Sequence, residues 1–212
     1  MPKTSFKQQV LKAREEAIVA AASRFLAQKD FDSMTMDEVA AEAGIAKASL
    51  YKHFSSKESL AAAAMVRIME RALTFIRGIT PQGEVTGERA AALIREVLCW
   101  VMRVQLAGEM PSLPAQNSSL RAVLLAHPPY MERLMGISEV LGAWIQAAQE
   151  SGHLQPKLPA EVILYLIFAK ACDPVLTLMK VSGNYEDDRI VEILSQVCFS
   201  GLAGPTMSTL AV

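Results

Sequence analysis

TMDEVAAEAGIAKASLYKHFSSKESL, residues 35–60, contains clear signals for helix starts and a tight turn in this 212-residue chain. Thr35 and Glu38 have the spacing of a capping box, which predicts that a helix starts at Thr35. Gly44 follows where the chain must turn within three or four residues, and glycine adopts positive φ there without strain. A second short helix is predicted directly afterwards, ending near His53. The stretch therefore predicts two short helices joined by a tight turn.

The second of these helices presents a narrow outer face that suits a DNA groove. At about 100° per residue, Leu50 points inward. The opposite side carries Ala48 and Lys52, and Ser49 and Tyr51 lie on its shoulders. A B-DNA major groove admits one helix with a small, polar or basic surface of this kind. The segment is therefore expected to be a helix-turn-helix that binds double-stranded DNA.

Each side chain near this face can be given a role in DNA binding. Lys52 is best placed for base contact, and Ala48 permits close approach and contact with a thymine methyl group. Lys47 can reach a guanine edge or a phosphate. Ser49 and Tyr51 have hydroxyl groups suited to phosphate oxygens, and such contacts fix the register without reading the base sequence.

Three further residues border the segment. Thr35 and Lys57 each stand at the start of a predicted helix, where free N–H groups and the positive end of the helix dipole favour a phosphate. His53 lies about 60° from Leu50 around the helix, which leaves it between a core position and a DNA contact. The competing interpretation is that of an ordinary helical bundle, in which the lysines form a solvated face.

The charge balance and the cysteine content indicate what kind of protein contains this segment. Residues 1–57 carry nine Lys and Arg against seven Asp and Glu, and the remainder carries 12 against 15. This difference is too small to indicate DNA binding by itself. The three cysteines, without metal-ligand spacing, predict reduced thiols in a cytoplasmic protein with no metal and no cofactor. Residues 1–16 lack a signal-peptide pattern, and the apolar run Val162–Ala169 is too short to span a bilayer.

Helices are predicted over almost the whole chain, with no alternating strand pattern, so the fold class is all-α. A leading helix is expected over 6–28, because Leu11 and Ile18 belong to an apolar series at helical spacing. Ser55 and Glu58 form a second capping box, which opens a long fourth helix. The helices expected after the first three cover 56–77, 88–106, 120–126, 129–150, 159–181 and 186–202.

The stretch quoted above resembles the DNA-binding domain of the TetR family of transcriptional regulators. The resemblance covers roughly residues 8–60, and its most specific part is LYKHFSSKESL at 50–60. The DNA contacts that it implies are Lys47, Ser49, Tyr51, His53 and Lys57.

Two positions depart from the family pattern. The family often has Ser or Thr where this chain has Ala46, and Gly where this chain has Ala48. Loss of the cap costs about 1 kcal/mol, and alanine in place of glycine inside a helix returns a similar amount. The fold is therefore expected to survive, with one phosphate contact fewer at Ala46.

The resemblance implies an all-helical homodimer with two domains. Residues 1–57 would form a three-helix DNA-binding domain, and residues 58–212 a helical ligand-binding and dimerisation domain. The helices over 159–181, kinked at Pro174, and 186–202 would pair with those of the partner. EVILYLIFAK, residues 161–170, agrees with this, because a helix that is apolar on nearly all sides must be buried on both faces. Two symmetric domains would bind successive major grooves of a near-palindromic operator.

The resemblance also implies repression that a small-molecule effector relieves by shifting the long fourth helix. The middle of the chain is rich in Met and aromatic residues, which line adaptable apolar pockets. The candidate pocket residues are Met69, Trp100, Arg103, Met131 and Trp144. Arg103 would hold an anionic ligand. The alternative is that the apolar ones are ordinary core residues and that Arg103 lies at the surface.

Two other classes of protein fit less well. A dimeric DNA-binding protein without a ligand would use its C-terminal domain to contact another protein, and a missing cavity or a large exposed apolar patch would favour it. An enzyme is not expected. The scattered His and Cys residues, with no Gly-rich phosphate loop, metal-ligand spacing or G-x-S-x-G motif, supply no catalytic site.

Overall fold

A computed structural model describes residues 6–111 and 118–200. The described part is helical and contains no strand, which confirms the all-α prediction. The helices are α1 (Phe6–Gln28), α2 (Met36–Glu42), α3 (Lys47–His53), α4 (Lys57–Ile79), α5 (Gly87–Leu106), α6 (Ser119–Leu125), α7 (Pro128–Glu150), α8 (Ala160–Ala169), α9 (Pro174–Ser182) and α10 (Asp187–Ser200). The last helix was predicted to reach residue 202, and its final two residues lie outside the described part.

The chain forms two compact units. The first contains the described residues up to 80 together with those from 108 to 143, and the second contains 81–107 and the described residues from 144 onward. The first unit therefore holds α1 to α4, α6 and most of α7. The helix α4 therefore packs with the helices that precede it. The domain boundary predicted after residue 57 separates the chain by expected function and not by packing.

The core of the first unit contains side chains from α1, from the two short helices α2 and α3, and from α4 and α6. Ile18, Leu50, Leu60 and Leu120 are completely buried in one cluster. Leu11, which belongs to the apolar series predicted along α1, is 45% exposed. The helical spacing was right, but among the α1 residues whose burial is described the first buried one is Ile18.

The start of α4 is capped, but by different residues from those predicted. The Ser56 hydroxyl accepts a hydrogen bond from the Ser59 backbone N–H at 3.1 Å, and the Ser59 hydroxyl accepts one from the Ser56 N–H at 3.2 Å. The predicted pair of Ser55 and Glu58 is displaced by one residue. Glu58 instead accepts a hydrogen bond from the Ser119 hydroxyl at 3.1 Å, which ties α4 to α6.

In the second unit, the single kinked helix predicted over 159–181 is two helices. The α8 helix ends at Ala169 and is followed by a 3-10 turn. The Asp173 carboxylate then accepts a hydrogen bond from the Val175 N–H at 3.0 Å, and Pro174 occupies the first turn of α9. Aspartate at the N-cap followed by proline starts a new helix rather than bending an old one.

Ala160–Ser182 is also the one stretch of the described chain that is long and apolar enough for a membrane helix, with a mean hydropathy of 1.8. It is not a continuous helix, and a Lys170–Asp173 ion pair stands at the break. Few of its apolar side chains are buried in the single chain: Ile167 and Leu176 are, and the others are half-buried or exposed. The exposed ones define what we call the α8–α9 apolar surface: Val162, Tyr165, Leu166, Val175, Leu178 and Val181.

Candidate nucleic-acid interface

The turn before α3 has the geometry that its sequence predicts. The Glu38 N–H donates to the Thr35 hydroxyl at 3.2 Å, and the Thr35 N–H donates to the Glu38 carboxylate at 3.1 Å, which completes the capping box of α2. Gly44 has φ +66° and makes the turn between the two short helices. Val39 and Ala40 are buried, so α2 packs closely under α3.

The α3 helix presents the face expected for a DNA groove. Leu50 is completely buried, whereas Ala48 and Lys52 are exposed on the outside and Tyr51 is 45% exposed. Ser49 and His53 are half-buried, so both lie at the edge of this face. The helix begins without a side-chain cap, as the alanine at its N-cap position predicts.

The three lysines expected to contact DNA differ in what they bind in the free protein. Lys52 makes no hydrogen bond or ion pair with another described residue. The Lys47 ammonium lies 2.8 Å from one oxygen of Asp37. The Lys57 ammonium donates to the Asp32 carbonyl oxygen at 2.9 Å and lies 4.5 Å from the centre of the Phe31 ring.

All three acidic residues of α2 are paired with bases from neighbouring segments. Asp37 binds Lys47, which begins α3. Glu38 binds Lys29 at 2.8 Å and Glu42 binds Arg24 at 2.8 Å. The hydrogen bond from Lys29, together with those from Thr35, lowers the pKa of Glu38 to about 2. The hydrogen bond to Asp37, and the charge of its carboxylate, raise the pKa of Lys47.

The lowered pKa of Glu38 predicts a pH dependence of stability. A carboxyl group with a lower pKa in the folded state stabilises the fold above its ordinary value of 4.5, and this contribution is lost as the pH falls from there toward about 2. Glu38→Gln keeps an acceptor for the capping box but cannot titrate. We expect its melting temperature to fall less steeply than that of the wild type between pH 5 and pH 2.5, and Glu139→Gln, which breaks no ion pair, to follow the wild type. Parallel curves for all three proteins would contradict this role of Glu38.

The predicted pocket residues are distributed over both units. Met69 and Met131 are half-buried and pack against the core cluster of the first unit. In the second unit Trp144 is buried, Trp100 is half-buried, and Arg103 is exposed and forms an ion pair with Asp188 at 3.1 Å.

The first unit contains a groove that the sequence did not reveal. It has a volume of about 940 Å³ and lies between the last turns of α4 and the first half of α7. Leu73, Ile76 and Val140 supply apolar surface, and Gly136 leaves room between the helices. None of the five predicted pocket residues lines it. We call it the α4–α7 groove.

The charged residues of the α4–α7 groove fall into two sets. Arg133 is held by Glu70 at 3.1 Å and by Glu132 at 2.8 Å. Arg77 and Glu139 make no hydrogen bond or ion pair with another described residue, which leaves both charges accessible. Sequence spacing could not find this groove, because its two walls are more than 50 residues apart. Among the described residues no cluster of three His, Cys, Asp or Glu could hold a metal ion.

This geometry defines the class of protein: an all-helical chain with a helix-turn-helix near its N-terminus. Residues 18–64 match the family model described as bacterial regulatory proteins, tetR family. This match covers α2 and α3 and the parts of α1 and α4 next to them, so residues 18–64 are similar to the helix-turn-helix region of those regulators.

Two curated relatives match part of the chain. The uncharacterized HTH-type transcriptional regulator YerO of Bacillus subtilis is 43% identical over 47 residues, which is 22% of this chain and 16% of YerO. The uncharacterized regulator YuxN of the same organism is 31% identical over 74 residues, 35% of this chain and 25% of YuxN. The matched region thus spans a quarter or less of these relatives.

Solved structures match over most of the chain at low identity. The fatty acid degradation regulator FadR of Bacillus halodurans is 20% identical with a TM-score of 0.64, covering 89% of this chain and 96% of that one. The ketosteroid transcriptional regulator KstR2 of Mycobacterium tuberculosis is 17% identical with a TM-score of 0.62, covering 91% and 95%. FadR of Bacillus subtilis, solved in complex with stearoyl-CoA, is 19% identical with a TM-score of 0.58, covering 89% and 99%. At these identities the likeness extends to the fold alone.

Proposed function

We propose that this protein is a cytoplasmic, homodimeric transcriptional repressor that a small-molecule effector releases from its operator. The observation that carries the proposal is the exposed outer face of α3 within a TetR-family helix-turn-helix. If α3 were an ordinary core helix, this face would be buried. Instead, Leu50 is completely buried, and only Ser49 and His53, at the edge of the face, are half-buried.

On the DNA side, the proposal divides the contacts into two kinds. Lys52 reads base edges, because it is exposed at the centre of the face and makes no ion pair with another described residue. Ala48 lets the helix approach closely. The remaining contacts position the protein on the backbone, and they are Thr35, Lys47, Ser49, Tyr51, His53 and Lys57.

The α8–α9 apolar surface supports the homodimer. It exposes six large apolar side chains on two consecutive helices, which a soluble protein normally covers. From α10, which was also expected at the interface, Val191 and Leu194 are buried in the core of their own unit, and Val197 remains exposed. We therefore place α8 and α9 at the centre of the dimer interface and α10 at its edge. Two helix-turn-helix domains would then bind a near-palindromic operator.

The α4–α7 groove is the effector site that the described structure supports best. It lies against the last turns of α4, and the same uninterrupted 23-residue helix begins at Lys57 beside the helix-turn-helix. A ligand that separates α4 from α7 would move the start of α4. Release requires that the ligand bind the DNA-incompetent form more tightly, because equal affinity for both forms shifts nothing.

Filling the groove tests this assignment. A Cβ at Gly136 would lie 3.8 Å from Leu73, an ordinary contact, so a larger side chain extends into open groove space. For any compound that releases the wild type from DNA, Gly136→Phe is expected to raise the concentration needed at least tenfold while DNA affinity is retained. Gly142→Phe on the same helix is the matched control, since a Cβ there meets no atom within 4 Å and the residue does not line the groove. Equal sensitivity of both variants would place the effector elsewhere.

The proposal as a whole is tested by mapping the sites that the protein occupies across its genome. The expected result is a small number of sites that share a near-palindromic sequence, and purified protein should protect both halves of it. Binding in solution can then be challenged with candidate effectors, and stearoyl-CoA is a reasoned first probe because one similar structure contains it. Absence of discrete sites, together with no affinity for duplex DNA in solution, would overturn the assignment.

A second candidate is a DNA-binding protein that uses the α8–α9 apolar surface for a different protein rather than for its own copy. The exposure of that surface fits either partner. The oligomeric state separates them, since a protein that stays monomeric at micromolar concentration would favour the second.

A further inference from the structure

One of the predicted phosphate contacts is engaged within the free protein by a carboxylate. The Lys47 ammonium lies 2.8 Å from one oxygen of Asp37 and 2.9 Å from the other. Both side chains are more than half exposed, at 55% for Lys47 and 65% for Asp37, so the pair sits at the protein surface. Lys47 is the first residue of α3 and Asp37 the second of α2, which brings the carboxylate beside the proposed DNA-binding face.

Such a pair changes what the lysine can contribute to DNA binding. Backbone affinity arises when Lys and Arg neutralise phosphates and release condensed counterions. A lysine that shares its charge with an adjacent carboxylate neutralises a phosphate less effectively, and the carboxylate itself repels the DNA. Lys47 must therefore leave Asp37, or hold both anions at once, before it can contact the backbone.

We propose that Asp37 is a positioning residue that competes with the DNA backbone for Lys47 and lowers affinity for duplex DNA of any sequence. This inference rests on the proposed DNA-binding function and concerns its strength. Asp37 keeps Lys47 at the base of α3 and reduces sequence-independent binding. Lys52, which lacks such a partner among the described residues, keeps its full charge for the bases.

The chain offers a matched control. Glu42 lies in α2, as Asp37 does, and forms an ion pair of the same length with Arg24 of α1. Neither Glu42 nor Arg24 belongs to the proposed DNA-binding face. Glu42→Gln therefore changes the net charge of the protein as Asp37→Asn does and breaks a comparable ion pair. A difference between the two variants reports on the position of Asp37 and not on net charge.

The experiment measures binding of full-length wild type, Asp37→Asn and Glu42→Gln to a 30-base-pair duplex of random sequence over a range of salt. At about 50 mM salt, Asp37→Asn is expected to bind roughly three- to tenfold more tightly per subunit, and at about 300 mM the gain should fall below twofold. The slope of log affinity against log salt should steepen by up to about 0.9 per subunit, the value for one phosphate. Glu42→Gln should change affinity less than twofold, since its pair lies off the DNA-binding face.

A second pair of variants tests whether Asp37 acts through Lys47. In the Lys47→Ala background, Asp37→Asn should lose most of its gain, whereas simple repulsion of DNA by Asp37 would preserve it and overturn the proposal. Weaker binding by Asp37→Asn, or a gain equal to that of Glu42→Gln, would also overturn it. Melting temperatures identify any variant that is unfolded. If the Asp37→Asn protein is unfolded under the binding conditions, the ion pair between Asp37 and Lys47 serves the stability of the fold. A wild type that binds no duplex at all would instead defeat the proposed function.

Discussion

Replacing Ala48 by glutamate is expected to lower operator affinity at least about 100-fold, or about 2.7 kcal/mol at 25 °C, without destabilising the protein. Ala48 is exposed at the centre of the outer face of α3, so the larger side chain meets no core atoms. Glutamate is also favourable in the first turn of a helix. On DNA, however, it brings a negative charge to the groove and lies one helical turn from Lys52. It would pair with that lysine and remove a base contact worth about 1–3 kcal/mol.

Binding of the mapped operator by Ala48→Glu is measured by fluorescence anisotropy, and stability by thermal melting. Ala122→Glu is the control, because Ala122 is an exposed alanine on α6, another seven-residue helix of the same unit. It should bind like the wild type. If Ala48→Glu also binds normally, α3 does not enter the groove by this face and the division of contacts proposed above is wrong.

Replacing Leu178 by glutamate is expected to convert the dimer to a monomer and, as a consequence, to abolish operator binding. Leu178 is 68% exposed on the single chain, so its loss does not open the core of its own unit. In a symmetric interface each subunit would bury one unpaired carboxylate, and burial of an uncompensated charge costs several kcal/mol. A dissociation constant at least about 100-fold higher follows from about 2.7 kcal/mol.

Sedimentation velocity at micromolar concentration measures the oligomeric state directly. Leu125→Glu is the matched control, since Leu125 is 61% exposed on α6 and lies outside the α8–α9 apolar surface. If Leu178→Glu stayed dimeric and Leu125→Glu became monomeric, the dimer interface would lie on the first unit and not on the α8–α9 apolar surface. Loss of DNA binding by a variant that remains dimeric would break the proposed link between dimerisation and operator recognition.

The elements that sequence reasoning predicted well are those specified within a few residues of chain. The capping box of Thr35 with Glu38 and the positive φ of Gly44 are local, and both are present. Errors arose where neighbouring residues offered equivalent choices or where packing decided. The cap of α4 moved by one serine, because Ser55 and Ser56 stand side by side. Leu11 follows the helical period, but 45% of it remains exposed.

The fold class, the helix-turn-helix and the outer face of α3 were determined by the sequence alone. Caps and turns form between residues three or four apart, and the period of the helix then decides which side chains share a face. The contacts made by the side chains that the proposed function uses depend instead on tertiary packing. Lys47 is bound by Asp37, Lys57 is bound by the loop before α2, and α4 meets α7 in a groove. These contacts join residues 10 to more than 50 positions apart, and whether such residues meet depends on how whole helices pack.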